Sequence, residues 1–143
     1  MKKLTIQALT LVFAMPVFAD GHASGDAEAG EKAFRKCKAC HAVVADDGTV
    51  VMKGGKTGPN LYGIAGRALG TAPDFKKYKP SLVAAGEAGT VWDEEQFLEY
   101  VKDPAAYLKA VLDDSDAKSG MSFRLKNPKD AANIWAYLVG AAE

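Results

Sequence analysis

The chain of 143 residues is long enough for one ordinary domain, and 48% hydrophobic with 25% charged residues is a globular rather than a disordered composition. Its 18 basic residues balance 18 acidic ones, which argues against a general affinity for nucleic acid. Two cysteines and two histidines exclude a four-cysteine zinc site, a cysteine-ligated iron–sulfur cluster and a framework of several disulfides.

The first residues follow the pattern of a secretory signal peptide. Two lysines precede an apolar stretch, and Val17-Phe18-Ala19 supplies small residues at the two positions that a signal peptidase reads. We therefore expect residues 1–19 to be removed as a signal peptide, with a second possible cleavage after Ala23. The remaining residues, 20–143, are expected to form one domain.

The same N-terminal pattern sets the expected compartment. A signal that starts with lysines and lacks a lipid-attachment cysteine indicates export by a bacterium, so we expect the mature chain in the periplasm. An uncleaved membrane anchor is the alternative, although the apolar stretch Leu4–Phe18 is shorter than the roughly 20 residues of a spanning helix. The periplasm is oxidising, so two cysteines there should be bridged, bound to a metal or covalently modified.

The first predicted helix is Asp26–Lys38, where apolar residues recur at helical spacing and Asp26 is a suitable N-cap. The following residues, Ala42 to Ser81, are predicted to be loop because they contain ten glycines and prolines. A loop of that length is uncommon in a compact domain. It indicates that something other than side chains fills the interior.

Helical patterns return in the second half of the chain. Thr90 and Asp93 resemble a capping box that starts one helix. Asp103-Pro104 and Asn127-Pro128 each combine an N-cap with a proline suited to the first helical position, and the polar residues 113–118 separate these two helices. With no convincing sheet, the predicted fold class is all-α, with about four to five helices and long loops.

Both cysteines of the chain lie in one C-x-x-C-H motif, formed with His41. The spacing puts Cys37 and Cys40 on one turn, within reach of the two vinyl groups of a haem, and it is the sequence signature of covalent haem attachment. A thioredoxin-like pair would need a βαβ unit, and zinc would need ligands beyond His22. A bare disulfide would explain neither His41 nor the long loop. We therefore predict one haem c, bound through Cys37 and Cys40, whose burial supplies the missing core.

The second axial ligand decides between electron transfer and ligand chemistry at the iron. Two methionines of the mature chain are candidates. Met52 follows the motif too closely to reach the opposite haem face easily. Met121 lies far downstream, after the small residues Ser119-Gly120, which allow a close approach. We favour Met121 as the ligand; the alternative is a methionine that only fills a gap in the core.

These residues resemble the class I c-type cytochromes, most closely the bacterial cytochrome c2 type, and the resemblance extends from Gly25 to Ala141. The loops 43–53 and 108–119 are longer than in the small mitochondrial pattern. The matching motifs come in the family's order: Gly-Asp-Ala-Glu-Ala-Gly, the C-x-x-C-H motif, Lys56–Gly63, Gly66-Arg67, Trp92, Glu99-Tyr100 and Lys118–Phe123.

The resemblance implies a fold wrapped around one covalently bound haem and a ligand set for it. Cys37 and Cys40 would form the thioether bonds, and His41 and Met121 would be the axial iron ligands. The carbonyl of Pro59 would accept a hydrogen bond from the His41 ring, which fixes the tautomer and the ring plane.

The resemblance also implies supporting residues around the cofactor. Tyr100 would lie beside the Met121 sulfur and help to set the reduction potential. Arg67, Tyr78 and Trp92 would hydrogen-bond a haem propionate and so lower the cost of burying its charge. The first and last helices would cross closely, through Gly30, Phe34, Ile134 and Tyr137.

The implied function is a soluble, monomeric periplasmic carrier of single electrons, not an enzyme. Its donor would be a quinol–cytochrome c oxidoreductase of the bc1 type, and its acceptor a photosynthetic reaction centre, a terminal oxidase or a periplasmic reductase. The alternatives are an open-site haem enzyme or ligand sensor, and a membrane-tethered cytochrome subunit. Partners would dock at a lysine-rich haem edge, comprising Lys36, Lys38, Lys56, Lys118, Arg124 and Lys126.

Overall fold

The structure, a computed structural model, describes residues 23–143. The predicted signal peptide, its cleavage after Ala19, and His22 lie outside the described residues. Within them, five helices follow in chain order: α1 (Ala27–Ala33), α2 (Pro80–Glu87), α3 (Glu94–Lys102), α4 (Pro104–Leu112) and α5 (Pro128–Gly140). A 3-10 turn extends α1 over Phe34–Lys36, and a hairpin is formed by β1 (Val43–Val44) and β2 (Val50–Met52). No helix in this part of the chain is both long enough and apolar enough to cross a bilayer.

Side-chain caps explain where most of the helices begin. The carboxylates of Asp26, Asp93 and Asp103 each accept a hydrogen bond from the amide three residues along, and the Asn127 side chain accepts one from the Lys129 amide. These bonds satisfy amide groups that have no partner inside the helix. The predicted helix starts at Asp26, Asp103-Pro104 and Asn127-Pro128 are confirmed.

The predicted capping box at Thr90 is wrong. The helix begins only after Asp93, because the backbone groups before it are engaged elsewhere. The amide of Leu69 donates to the Thr90 carbonyl at 3.1 Å, and the amide of Trp92 donates to the Arg67 carbonyl at 2.9 Å. These long-range hydrogen bonds hold residues 90–92 extended beside the loop.

Residues 42–81 are not loop throughout, so the expectation of no sheet is also wrong. β1 and β2 pair antiparallel across a turn at Gly48, whose φ of +88° suits glycine. α2 begins within the predicted loop, at Pro80, whose ring sets the backbone angle for a first helical turn. Between these elements, residues 53–79 contain no helix and no extended strand.

The two ends of the domain meet where α1 crosses α5, as predicted. A Cβ atom at Gly30 would lie 1.8 Å from the Asn133 carbonyl oxygen, so only glycine allows this approach. The fully buried Phe34 packs on Tyr137, with 5.6 Å between ring centroids. The Asn133 side chain accepts a hydrogen bond from the Asp26 amide, which fixes the start of α1 on α5. This crossing holds the segment that leads into the cysteine motif.

Backbone hydrogen bonds join the long loop to the cysteine motif. The amide of Gly55 donates to the Lys38 carbonyl at 2.8 Å, and the amide of Gly58 donates to the Cys40 carbonyl at 2.9 Å. The loop 53–79 is therefore anchored against the motif at its start, and it reaches α2 at its end. The space that it encloses contains the candidate site.

Candidate haem-binding site

The cysteine motif forms a helical turn. The amides of Cys40 and His41 both donate to the Cys37 carbonyl, at 3.1 Å and 2.9 Å. Cys37 is half-buried, Cys40 is exposed, and no disulfide joins them. Burial raises the pKa of Cys37 to about 11, and the neighbouring Cys40 adds to the shift, so this sulfur is a neutral thiol at neutral pH.

The His41 ring is fixed from two sides. Its Nδ1–H donates to the Pro59 carbonyl at 2.8 Å, which leaves the lone pair on Nε2. A Cβ atom at Gly58 would lie 2.4 Å from the ring carbon Cε1, so the glycine leaves room for the imidazole. Burial lowers the pKa of His41, although the bond to Pro59 opposes the shift. The neutral imidazole, which is the form that binds iron, is therefore favoured.

One cavity of about 430 Å³ brings the predicted site residues together. Its remaining lining is largely apolar, with Leu61, Ile64, Leu82, Phe97 and Val101 among its walls. All nine predicted residues line it: Cys37, Cys40, His41, Pro59, Arg67, Tyr78, Trp92, Tyr100 and Met121.

The geometry of the described residues supports neither Met52 as the second ligand nor a site with several metal-binding side chains. Met52, the other candidate ligand, lies opposite Val43 in the hairpin and does not line the cavity. Across residues 23–143, no group of three or more histidine, cysteine or acidic side chains is placed to hold a metal ion.

Two parts of the chain supply the predicted ligands to the cavity. The first, the attachment wall, consists of residues 37–41 and residues 54–59, which backbone hydrogen bonds join to each other. The second, the methionine wall, consists of residues 117–125, which lie between α4 and α5. Met121 reaches the cavity from the methionine wall, so imidazole and thioether come from segments that are 80 residues apart in the chain.

Arg67 supplies a positive charge to the cavity. Its Nη1 donates to the Tyr62 carbonyl and its Nη2 donates to the Asn60 carbonyl, each at 3.1 Å. Burial lowers the pKa of Arg67, yet guanidinium remains charged at any physiological pH. In the part of the chain that the structure describes, no carboxylate forms an ion pair with it. A half-buried cation without a carboxylate partner suits an anionic group of a bound cofactor.

Tyr78 and Trp92, the other two predicted propionate partners, have their own contacts. The Tyr78 hydroxyl accepts a hydrogen bond from the Ala72 amide at 3.2 Å, and its proton stays available to donate. Trp92 is 8% exposed and packs edge-on against Tyr100, with 5.1 Å between ring centroids. Both side chains are thus held in place at the cavity by neighbouring residues.

Tyr100 makes a contact that the sequence did not predict. Its hydroxyl lies 3.1 Å from the Ser119 hydroxyl, and Ser119 also accepts a hydrogen bond from the Met121 amide at 3.0 Å. Ser119 is only two residues before the predicted ligand, so its small side chain was interpreted as an aid to close approach. Its hydroxyl, which could bridge ligand and ring, was the overlooked signal.

Two of the six basic residues predicted at the docking edge form ion pairs. Lys36 lines the cavity but pairs with Asp130 at 2.5 Å, and Arg124 pairs with Asp103 at 3.1 Å. Lys77 and Lys79 line the cavity, and sequence reasoning missed them. The run of three lysines around Tyr78 was the available signal.

The residues that line this cavity fit a covalently bound haem. The attachment wall supplies two thiols and an imidazole, and the methionine wall supplies a thioether. The cavity is also lined by a cation, Arg67, that has no ion-pair partner among residues 23–143. Apolar side chains cover much of the remaining surface, as a porphyrin requires.

Known proteins are similar to this chain in sequence and in fold. The chain is 51% identical over 144 residues to cytochrome c2 of Rhodobacter capsulatus, which covers 99% of both chains. The chain belongs to the cytochrome c2 family. It is also 54% identical over 141 residues to cytochrome c-551 of Roseobacter denitrificans, which covers 95% of this chain and 96% of that one. No protein-family model matches it.

A solved cytochrome c2 structure shows the same fold. The crystal structure from Rhodobacter sphaeroides matches with a TM-score of 0.81 at 51% identity, over 82% of this chain and 97% of that one. The predicted class I cytochrome c fold is therefore confirmed, with two short strands in addition. As a member of the cytochrome c2 family, this protein is an electron-transfer protein with one covalent haem c and not an enzyme.

Proposed function

We propose that this cytochrome carries single electrons through a haem that Cys37 and Cys40 would bind through thioether bonds and whose iron His41 and Met121 would ligate. The observation that supports the proposal is the single cavity that both an imidazole and a thioether line, together with the two thiols of the motif. When bound, the haem supplies an iron with two adjacent oxidation states. A closed coordination sphere favours electron transfer over binding of oxygen or peroxide.

The protein residues have separate roles in this mechanism. The Pro59 carbonyl holds the Nδ1 proton of His41, which keeps Nε2 as the metal-binding atom and fixes the ring plane. Arg67 offsets the charge of a propionate, with Tyr78 and Trp92 as further donors beside it. The apolar lining excludes water, which keeps the reorganisation around the iron small when its charge changes.

We infer that redox partners dock at the cavity mouth through opposite charge. Lys77 and Lys79 line the cavity, and Lys38 is exposed within the attachment motif. An acidic partner surface would be steered to this side, at rates that fall as salt rises. A quinol–cytochrome c oxidoreductase is the proposed donor, and a reaction centre, a terminal oxidase or a periplasmic reductase is the proposed acceptor.

The proposed location is the periplasm, after removal of residues 1–19. The N-terminal sequence of the protein isolated from a periplasmic fraction tests this proposal. A sequence that starts at Asp20 or at Ser24 agrees with one of the two predicted cleavage sites. An intact Met1 in a membrane fraction would instead indicate a tethered cytochrome.

An absorption spectrum tests the proposed iron ligands. The ferric protein should show the near-infrared charge-transfer band of a thioether ligand and should bind added cyanide slowly. Met121→Ala should abolish the band and allow rapid cyanide binding, whereas Met52→Ala, outside the cavity, should retain both properties of the native protein. A high-spin native spectrum with rapid cyanide binding would instead favour an open-site enzyme or sensor.

A further inference from the structure

Ser119 lies in the methionine wall, half-buried between Lys118 and Gly120. It takes part in two hydrogen bonds that meet at one oxygen atom. Its Oγ accepts the Met121 amide proton at 3.0 Å, and it lies 3.1 Å from the Tyr100 hydroxyl. The backbone of the proposed ligand is therefore connected to a tyrosine through a single serine hydroxyl.

The Tyr100 ring gives this connection a rigid base. It is 7% exposed, and it packs edge-on against both Trp92 and Tyr107, with centroid distances of 5.1 Å and 5.6 Å. Burial raises the pKa of Tyr100, so its hydroxyl keeps its proton at neutral pH. By contrast, Gly120 beside the ligand has only the Lys79 side chain near the position of a Cβ atom, at 3.4 Å.

The proton and lone pairs of the Ser119 hydroxyl determine which hydrogen bonds Tyr100 can make. A serine hydroxyl has one proton and two lone pairs, and the Met121 amide occupies one lone pair. If Ser119 donates its proton to Tyr100, the tyrosine proton is free for another acceptor, such as a thioether sulfur. If Ser119 accepts from Tyr100 instead, that proton is already used.

We propose that Ser119 is a positioning residue for the Met121 thioether, which ties the backbone of the ligand to the fixed Tyr100 ring and sets the availability of the tyrosine proton. The proposal rests on the proposed role of Met121 as an iron ligand. It assigns to Ser119 a part in holding the ligand and in tuning its bond to iron, whereas the sequence suggested only small size.

Competition with imidazole measures how firmly the ligand is held. Imidazole is added to the ferric protein, and loss of the thioether charge-transfer band reports displacement of Met121. Ser119→Ala should raise the imidazole association constant about fivefold, the factor that corresponds to loss of one net hydrogen bond. Ser119→Thr, which keeps a hydroxyl, should stay close to the native value. Ser115→Ala, an exposed serine of the same loop, is the matched control and should not change it.

A double-mutant cycle with Tyr100→Phe decides whether the two hydroxyls act together. If they do, the double variant should gain less imidazole affinity than the product of the two single gains. The reduction potential of Ser119→Ala should move in the same direction as that of Tyr100→Phe if Ser119 donates to Tyr100, and in the opposite direction if Ser119 accepts the tyrosine proton. An unchanged potential would count against control of that proton by Ser119. Independent, multiplicative effects would overturn the proposal, and so would a Ser119→Ala variant that behaves like Ser115→Ala.

The same experiment distinguishes the role of Ser119 from the proposed role of Met121 as an iron ligand. A native protein with the charge-transfer band, but without an effect of Ser119→Ala, would overturn only the role of the serine. A native protein without the band would overturn Met121 as a ligand and the role of Ser119 with it. A threonine variant that matches the alanine variant would count against a role of the hydroxyl.

Discussion

The attachment wall and the methionine wall hold their ligands in different ways. On the attachment wall, a backbone group and close packing fix His41. The Pro59 carbonyl accepts a hydrogen bond from its ring, and the ring packs so closely on Gly58 that no larger residue fits there. On the methionine wall, side-chain hydroxyls hold the backbone through hydrogen bonds. Ser119 binds the Met121 amide, and Ser81 accepts a hydrogen bond from the Lys118 amide at 3.0 Å.

The difference between the two walls determines how easily single substitutions can adjust each of them. A wall built from backbone contacts can be disrupted by a change in volume but is hard to adjust in small steps. A wall held by hydroxyls can be altered one hydrogen bond at a time, each worth about 1 kcal/mol. We therefore expect the methionine wall to be where relatives of this protein tune the iron, and the attachment wall to be where they keep it bound.

The largest effect is expected on the attachment wall, from Gly58→Ala. The added methyl group would lie 2.4 Å from the His41 ring, and such overpacking costs about 1–3 kcal/mol. Chemical denaturation of the haem-loaded protein measures the loss of unfolding free energy. Gly140→Ala, where nothing lies within 4 Å of a new Cβ atom, is the control. Equal stability of the two variants would show that the attachment wall is not rigid.

A smaller effect is expected on the methionine wall, from Ser81→Ala. The substitution removes the hydrogen bond to the Lys118 amide, which should cost about 1 kcal/mol of unfolding free energy. Hydrogen exchange of the Lys118 amide should accelerate, while exchange at Gly58 on the attachment wall should stay slow. Acceleration at both amides would mean that the two walls open together, which would contradict the comparison.

The smallest effect is expected from single charges at the cavity mouth. Lys38→Glu changes the attachment wall. Lys79→Glu changes a side chain near the methionine wall, 3.4 Å from the position of a Cβ atom at Gly120. Each should slow electron transfer with an acidic redox partner severalfold at low salt, and the difference should shrink at high salt. Stopped-flow kinetics measures the second-order rate constant, with the exposed Lys109→Glu on α4 as the control. An effect of only one variant would place docking on one wall.

Local signals in the sequence predicted the helix starts well but failed where distant segments decide the structure. Asp103 and Asn127 cap their helices through bonds to the next few residues, which a sequence displays directly. Thr90 failed because its carbonyl binds the Leu69 amide, and nothing near Thr90 in the chain reveals that partner. The hairpin was missed although Asp47-Gly48 is a typical turn pair, because the surrounding glycines suggested loop throughout.

The residues that line the cavity were also predictable where a local motif marks them. The cysteine motif and Met121 are recognisable residue by residue, and the resemblance supplied Pro59, Arg67, Tyr78, Trp92 and Tyr100 as a set. The ion pairs of Lys36 and Arg124 could not be foreseen, since their acidic partners lie elsewhere in the chain. The bridge from Ser119 to Tyr100 likewise depends on a contact between segments 19 residues apart.

The crossing of α1 and α5 has a consequence for the order in which the haem-binding turn and the cofactor come together. α1 has only seven residues, too few to persist as an isolated helix in water, and it packs on α5, which lies far downstream in the chain. We therefore expect the turn that carries the two thiols to take its final shape only after these distant segments have met. An apparatus that attaches the porphyrin before that contact forms would meet accessible thiols.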